Sequence, residues 1–134
     1  MGSIHISRSA ETLQAVADCY PDEFGGVDAN DWLVSPNNIA ITDSVGNWGL
    51  FHRQVDGIYT GHYFFETKGK EAKRLAIEMV DLFFDSTGEK ILRGITPVYN
   101  RAARWMSRQI GFKSLGEIDT DHGPCELFIM TKDQ

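Results

Sequence analysis

The chain has 134 residues, 42% hydrophobic and 24% charged, with a formal net charge of -6. This is the size and composition of one soluble domain spanning residues 1–134. The acidic balance excludes a general nucleic-acid binder, which needs a basic face.

No apolar run reaches the ~20 residues of a membrane span, and the N-terminus lacks the layout of a signal peptide. The expectation is a cytoplasmic protein with no membrane partner. Cys19 and Cys125 match no metal or redox spacing and read as two buried thiols rather than a disulfide. His5, His52, His62 and His122 are scattered, so no metal is expected.

Ile4 and Ile6 alternate in a short strand over residues 3–7. Leu13, Val16, Ala17 and Tyr20 then recur at helical spacing over 10–20, with Ser9 as cap and Pro21 at the end. Residues 28–34 form a second short helix, capped by Asp28, with Trp32 and Leu33 inward. Three strands follow, over 38–42, 48–54 and 58–65, the last two joined by the hairpin signal Asp56-Gly57.

The clearest helix runs over 70–85, with Ala72, Leu75, Ala76, Met79, Val80 and Phe83 on one stripe and Ser86-Thr87-Gly88 at its end. A strand over 90–96 must run parallel to the strand before that helix, because the crossover returns the chain to the same end. Another helix covers 100–110, with Ala102, Ala103, Met106 and Ile110 inward and Gly111 just past its end. Residues 117–118 and 126–131 close the sheet as an antiparallel pair, joined by a loop holding Asp119, Asp121 and His122. The order β-α-α-β-β-β-α-β-α-β-β defines an α/β domain with a mixed, mostly antiparallel sheet and flanking helices. Ligands in such sheets bind where strands diverge.

Two segments carry chemistry. In Phe64-Phe65-Glu66-Thr67-Lys68-Gly69-Lys70-Glu71-Ala72 a strand runs through a basic turn into a helix. A helix N-terminus presents free N–H groups and partial positive charge, which suits a phosphate. The second segment is Asn100-Arg101-Ala102-Ala103-Arg104, followed by Ile110-Gly111-Phe112. Lys68, Lys70, Lys73, Arg74, Arg101, Arg104 and Arg108 flank the two helix starts, either as a phosphate site or as a solvated face. Glu66 is a candidate base or a partner for the helix dipole, and strand alternation puts His62 on its face. Asn100 is a ligand contact or simply a cap. Together the segments suggest a cofactor-binding enzyme.

The order and these motifs resemble the GNAT N-acetyltransferase superfamily. In that family a turn of the form Arg/Gln-x-x-Gly-x-Gly/Ala holds the pyrophosphate of acetyl-CoA on its amides. The matching positions are Thr67, Lys68, Gly69, Lys70, Glu71 and Ala72. Thr67 and Lys70 depart from the pattern, and a shifted alignment pairs Lys68-Gly69 with the family's Arg-Gly. Asn100 and Ala103 match the family's Asn-x-x-Ala/Ser, whose Asn contacts the pantetheine arm.

The resemblance implies acetyl-CoA as co-substrate, lying between the 58–65 and 90–96 strands, with Arg104 among the cations near it. An amine acceptor would attack the thioester directly, with the oxyanion on a backbone N–H near Phe65. Glu66 or His62 would be the base. Where many members carry a thiolate-protonating Tyr, this chain has Ser107, with Tyr99 as a spare donor.

Compact chains of this kind also resemble GNAT-like proteins of tailed phages, some assigned to head assembly or the virion. On that alternative the fold serves interaction, with a homodimer or a phage structural partner and reduced catalysis. A CoA-binding regulatory module without turnover is a third reading.

Overall fold

A computed structural model describes residues 4–19, 28–121 and 123–132. The elements are β1 (His5–Ser7), α1 (Ala10–Cys19), α2 (Ala29–Val34), β2 (Asn38–Thr42), β3 (Asn47–Arg53), β4 (Tyr59–Phe65), α3 (Gly69–Thr87), β5 (Ile91–Pro97), α4 (Arg101–Gln109), β6 (Lys113–Thr120) and β7 (Gly123–Thr131). This is the expected order.

Local chemistry explains the boundaries. Thr12 N donates to Ser9 Oγ at the start of α1, and Asp31 N donates to Asp28 Oδ1 at the start of α2. Gly88 ends α3 in the left-handed conformation, φ 72°, and its N–H reaches Phe84 O.

The seven strands form one sheet in the order β1-β2-β3-β4-β5-β7-β6. All neighbours are antiparallel except β4 and β5, which run parallel. Their register holds only at Tyr59↔Leu92 and Thr60↔Arg93. Beyond Thr60 the two strands part, with no further β4–β5 pairing among the described residues. The sheet therefore forks in its middle.

Each face has its own core. Leu13 from α1 and Ala29 from α2 pack on Ala40, Trp48 and Leu50, with Val16, Trp32, Leu33 and Phe64 against them. The opposite face carries α3 and α4. There Ala76, Met79, Val80 and Phe83 of α3 cover Ile41, Phe51, Tyr59 and Leu92. Phe51 stacks on Phe83 with ring centroids 4.7 Å apart. The six expected α3 stripe positions are all buried, together with Phe84. Burying the Leu, Met, Val and Phe side chains among them stabilises by about 1.5–3 kcal/mol each.

Several expectations change. Ala102 is exposed, and the inward residues of α4 are Ala103, Met106 and the buried Ile110 that follows it. The strand expected at 117–118 runs from Lys113 to Thr120, so Asp119 lies in a strand and not a loop. Its exposed, charged edge hid it, because β6 pairs only with β7 and shows no alternating burial. Cys19 is an exposed free thiol, whereas Cys125 is buried and also free. Tyr20, Pro21 and His122 lie outside the described residues. No described helix is long and apolar enough to cross a membrane. No cluster of three or more metal-ligating side chains occurs among the described residues.

Candidate active site

The turn after β4 is built from inside the protein. Asn47, fully buried at the start of β3, accepts from the N–H groups of both Glu66 and Thr67 through Oδ1, at 3.1 Å each. Its Nδ2 donates to Asp43 Oδ2 at 2.8 Å and to Thr67 Oγ1 at 2.9 Å. All four hydrogen-bonding positions of the amide are used. Asp43, itself 1% exposed, also accepts from the N–H groups of Val45 and Asn47. Asn47 thus ties the β2–β3 turn to the β4–α3 turn. It reads in the sequence as an ordinary turn residue, and only its burial reveals this role.

The same bonds narrow the set of amides left free at the turn. The Thr67 N–H is already paired, so it leaves the expected donor set. The cap of α3 is Lys68, which spends the Ala72 N–H on the helix ladder, and Ala72 is buried against the sheet. The uncommitted donors are then the N–H groups of Gly69, Lys70 and Glu71. Among the described residues no side chain caps this helix end. Gly69 has φ +69° with nothing within 4 Å of where a Cβ would stand, so its backbone conformation, and not crowding, calls for glycine. Glu71 pairs with Arg74, which also pairs with Glu78. The Arg74 guanidinium holds the Glu71 carboxyl below the ordinary carboxylate range. Lys68 and Lys70 are exposed and form no ion pair among the described residues.

Strand alternation settles what points into the fork. Glu66 N donates toward β3, to Gly46 O at 3.3 Å. With Asn47 opposite Phe65 in register, the N–H groups of Phe65 and Tyr63 point away from β3, toward the opening. His62 is the first side chain past the last β4–β5 pair on the face carrying α1 and α2. Glu66 shares that face but lies ~13 Å farther along the strand. Its exposed side chain folds over Gly46, where a Cβ would stand 1.9 Å from Oε2. His62 and Glu66 thus share a face, as strand alternation predicts, but stand too far apart to act on one proton.

His62 pairs instead with His52, Nε2 to Nε2 at 3.0 Å. Burial, reinforced by the charge His52 would carry, pushes the His62 pKa down to about 4. Burial and then the nearby Arg93 lower that of His52. Both rings are therefore neutral at pH 7. Arg93 is held by Asp56 through two contacts of 3.0 Å. His52 was missed in the sequence. The register set by the Asp56-Gly57 turn places it diagonally across from His62, and that signal was available.

On the opposite face Tyr63 leans back over Gly61, where an added Cβ would lie 2.9 Å from Tyr63 Oη. That hydroxyl is buried with no hydrogen-bond partner among the described residues, and burial pushes its pKa up. An unpaired buried hydroxyl costs ~1–3 kcal/mol. Tyr63→Phe is expected to leave the thermal midpoint unchanged or raise it, readable by calorimetry. A fall would mean the hydroxyl has a partner in solution.

At the second segment, Asn100 caps α4, its Oδ1 accepting from Ala103 N at 3.1 Å. Arg104 is not free for a phosphate. Its Nε donates to Glu126 Oε1 at 2.7 Å and its Nη1 to Val98 O at 2.8 Å. Arg108 and Ser114 bind the same carboxylate, which is 3% exposed. Burial alone would raise the Glu126 pKa; the Ser114 hydrogen bond and the two arginines outweigh it and hold it low. Tyr99 is 80% exposed, and Ser107 is half-buried on α4. Among the described residues neither hydrogen-bonds to the histidine pair, whose side-chain partner is Gln54.

No protein-family model and no curated protein matches the sequence. Solved structures match its shape. One is the aminoglycoside acetyltransferase AAC(6')-Ib with acetyl-CoA, at TM-score 0.74 and 13% identity over 97% of this chain and 93% of that one. Another is yncA from Salmonella typhimurium, a putative acetyltransferase bound to acetyl-CoA, at TM-score 0.74 and 12% identity over 98% and 94%. A mutant of the spermidine N-acetyltransferase SpeG from Vibrio cholerae matches at TM-score 0.76 and 10% identity over 96% and 92%.

Proposed function

We propose, on the GNAT acetyltransferase fold that these likenesses show, that the chain is an acetyl-CoA-dependent N-acetyltransferase. The observation that carries the reading is the fork between β4 and β5, with the uncapped start of α3 at its open end. A negatively charged pyrophosphate suits the Gly69, Lys70 and Glu71 amides and the Lys68 and Lys70 side chains. The pantetheine arm then runs along the open edge of β4 toward the apex, with Asn100 across the gap at the start of α4.

The acceptor amine enters from the face of α1 and α2. There His62, neutral at pH 7, is the base in preference to Glu66. The amine nitrogen attacks the thioester carbon, and the oxyanion takes a backbone N–H on the open edge of β4. Phe65 and Tyr63 both present one, and adjacency to His62 favours Tyr63. The C–S bond then breaks and CoA leaves as thiolate, which takes its proton from solvent on release. Ser107 and Tyr99 are not needed for this step.

Acetyl-CoA at 100 times its dissociation constant should stabilise the protein by about 2.7 kcal/mol, a rise of several degrees in Tm. Gly69→Ala forces a side chain into a left-handed position at ~1–2 kcal/mol. It should lower the basal midpoint and shrink the ligand-induced rise. Thiol release from acetyl-CoA is then followed with spermidine and kanamycin as first acceptors, because similar folds act on such amines. No rise in Tm at millimolar acetyl-CoA would overturn the enzyme reading and leave the interaction reading.

A further inference from the structure

His52 and His62 lie diagonally across the β3–β4 hairpin, on neighbouring register pairs His52↔Thr60 and Leu50↔His62. Their ring planes are 10° apart and their centroids 5.1 Å apart, while the Nε2 atoms approach to 3.0 Å. The centroid separation exceeds the nitrogen separation by about two ring radii. The rings therefore meet edge to edge in nearly one plane and are not stacked face on face. That is the geometry of an N–H···N hydrogen bond. Two facing lone pairs would repel, and two facing N–H groups would collide. One Nε2 carries the proton and the other does not, so the rings hold opposite tautomers.

We propose that His52 and His62 act as one proton-holding unit, in which His52 is the positioning residue that lets His62 work as a base. In the productive arrangement His62 donates its Nε2–H to His52 Nε2 and keeps a lone pair at Nδ1. His52 then carries Nδ1–H, toward the Gln54 side-chain amide 3.4 Å away, whose oxygen can accept it after an amide rotation. As the acceptor nitrogen attacks, its proton moves to His62 Nδ1, and the His62 Nε2 proton crosses to His52 Nε2. His62 ends neutral with its tautomer reversed, and His52 ends as the cation.

The charge thus leaves His62 for His52; both rings are half-buried. Thr60 from β4, Asn38 from β2 and Gln54 flank His52 on the sheet. The charge acting on His52 from β5 is that of Arg93, which Asp56 neutralises through its paired contacts. The relay rests on the acyltransfer reading; the shared proton rests on the geometry alone.

The test is nitrogen-15 NMR of the histidine rings in the full chain, from pH 8 to pH 4, for wild type and His52→Gln. The expected result is opposite tautomers for His52 and His62 in the wild type, and loss of that fixed tautomer at His62 in the variant. Identical tautomers, or His62 shifts that His52→Gln leaves unmoved, overturn the proposal without touching acetyl-CoA binding. With an active acceptor, His52→Gln should lower kcat about tenfold, displace the acidic limb of the pH profile and leave KM for acetyl-CoA unchanged. An unmoved limb overturns the relay. Failure of wild-type protein to bind acetyl-CoA overturns the acyltransfer reading, while the tautomers still decide the pair.

Discussion

Asn47→Ala is expected to destabilise the protein by roughly 3 kcal/mol and lower its thermal midpoint by ~10 °C. The side chain removed is fully buried and uses both its acceptor positions and both its donors. Its loss strands the Thr67 N–H, weakens the hold on Glu66 and takes a donor from a buried Asp43 carboxylate. Alanine cannot replace any of these bonds, and the vacated space is too polar to collapse cheaply. Asn47→Asp should be no better. It keeps the acceptors but loses the two donors and sets a second carboxylate against Asp43. The measurement is denaturant unfolding of both variants beside Thr67→Val, which removes one hydroxyl and should cost ~1 kcal/mol. An Asn47→Ala loss under ~1 kcal/mol would show that the network does not hold the turn. The same variant should weaken acetyl-CoA binding more than its loss of stability alone explains, because the turn it anchors presents the amides.

The second large effect is on pH dependence. In the unfolded chain His62 has an ordinary pKa near 6.5, and in the folded protein burial holds it near 4. Above pH 6.5 both states are neutral there and the residue adds no pH dependence. Between pH 6.5 and pH 4 the unfolded state binds a proton that the folded state refuses, so stability falls with falling pH. Below pH 4 both states are charged and the loss levels off. The span of about 2.5 pH units corresponds to ~3 kcal/mol. His62→Gln should abolish that part of the acid loss, leaving what the carboxylates contribute. Urea midpoints at pH 7, 6, 5 and 4 for the two proteins would read it directly. Parallel curves would mean that His62 is already charged, or well solvated, in the folded state.

The legible part of the site was the part built from backbone. The basic turn into α3 was visible because a helix start needs only a strand, a glycine and an amphipathic run, all local in sequence. Asn100 was legible as a cap for the same reason. The illegible part consisted of side chains whose partners come from other strands. Arg104 read as a free cation in its own helix, and only the β5–β7 pairing delivers Glu126 to it. Glu66 and His62 share a face, but strand rise keeps them apart while the hairpin register brings His52 to His62.

By itself the sequence determined the element order, the inward stripe of α3 and the parallel crossover that makes an α/β sheet. These follow from periodicity, turn chemistry and chain connectivity, which act over a few residues at a time. Only the tertiary structure decided where β4 and β5 part, which amides at the turn stay free, and which buried polar groups meet. Those outcomes depend on contacts such as Asn47 with Thr67 and Arg104 with Glu126, about 20 residues apart in the chain. Burial makes such pairings obligatory, because a desolvated polar group must find a partner wherever the fold supplies one.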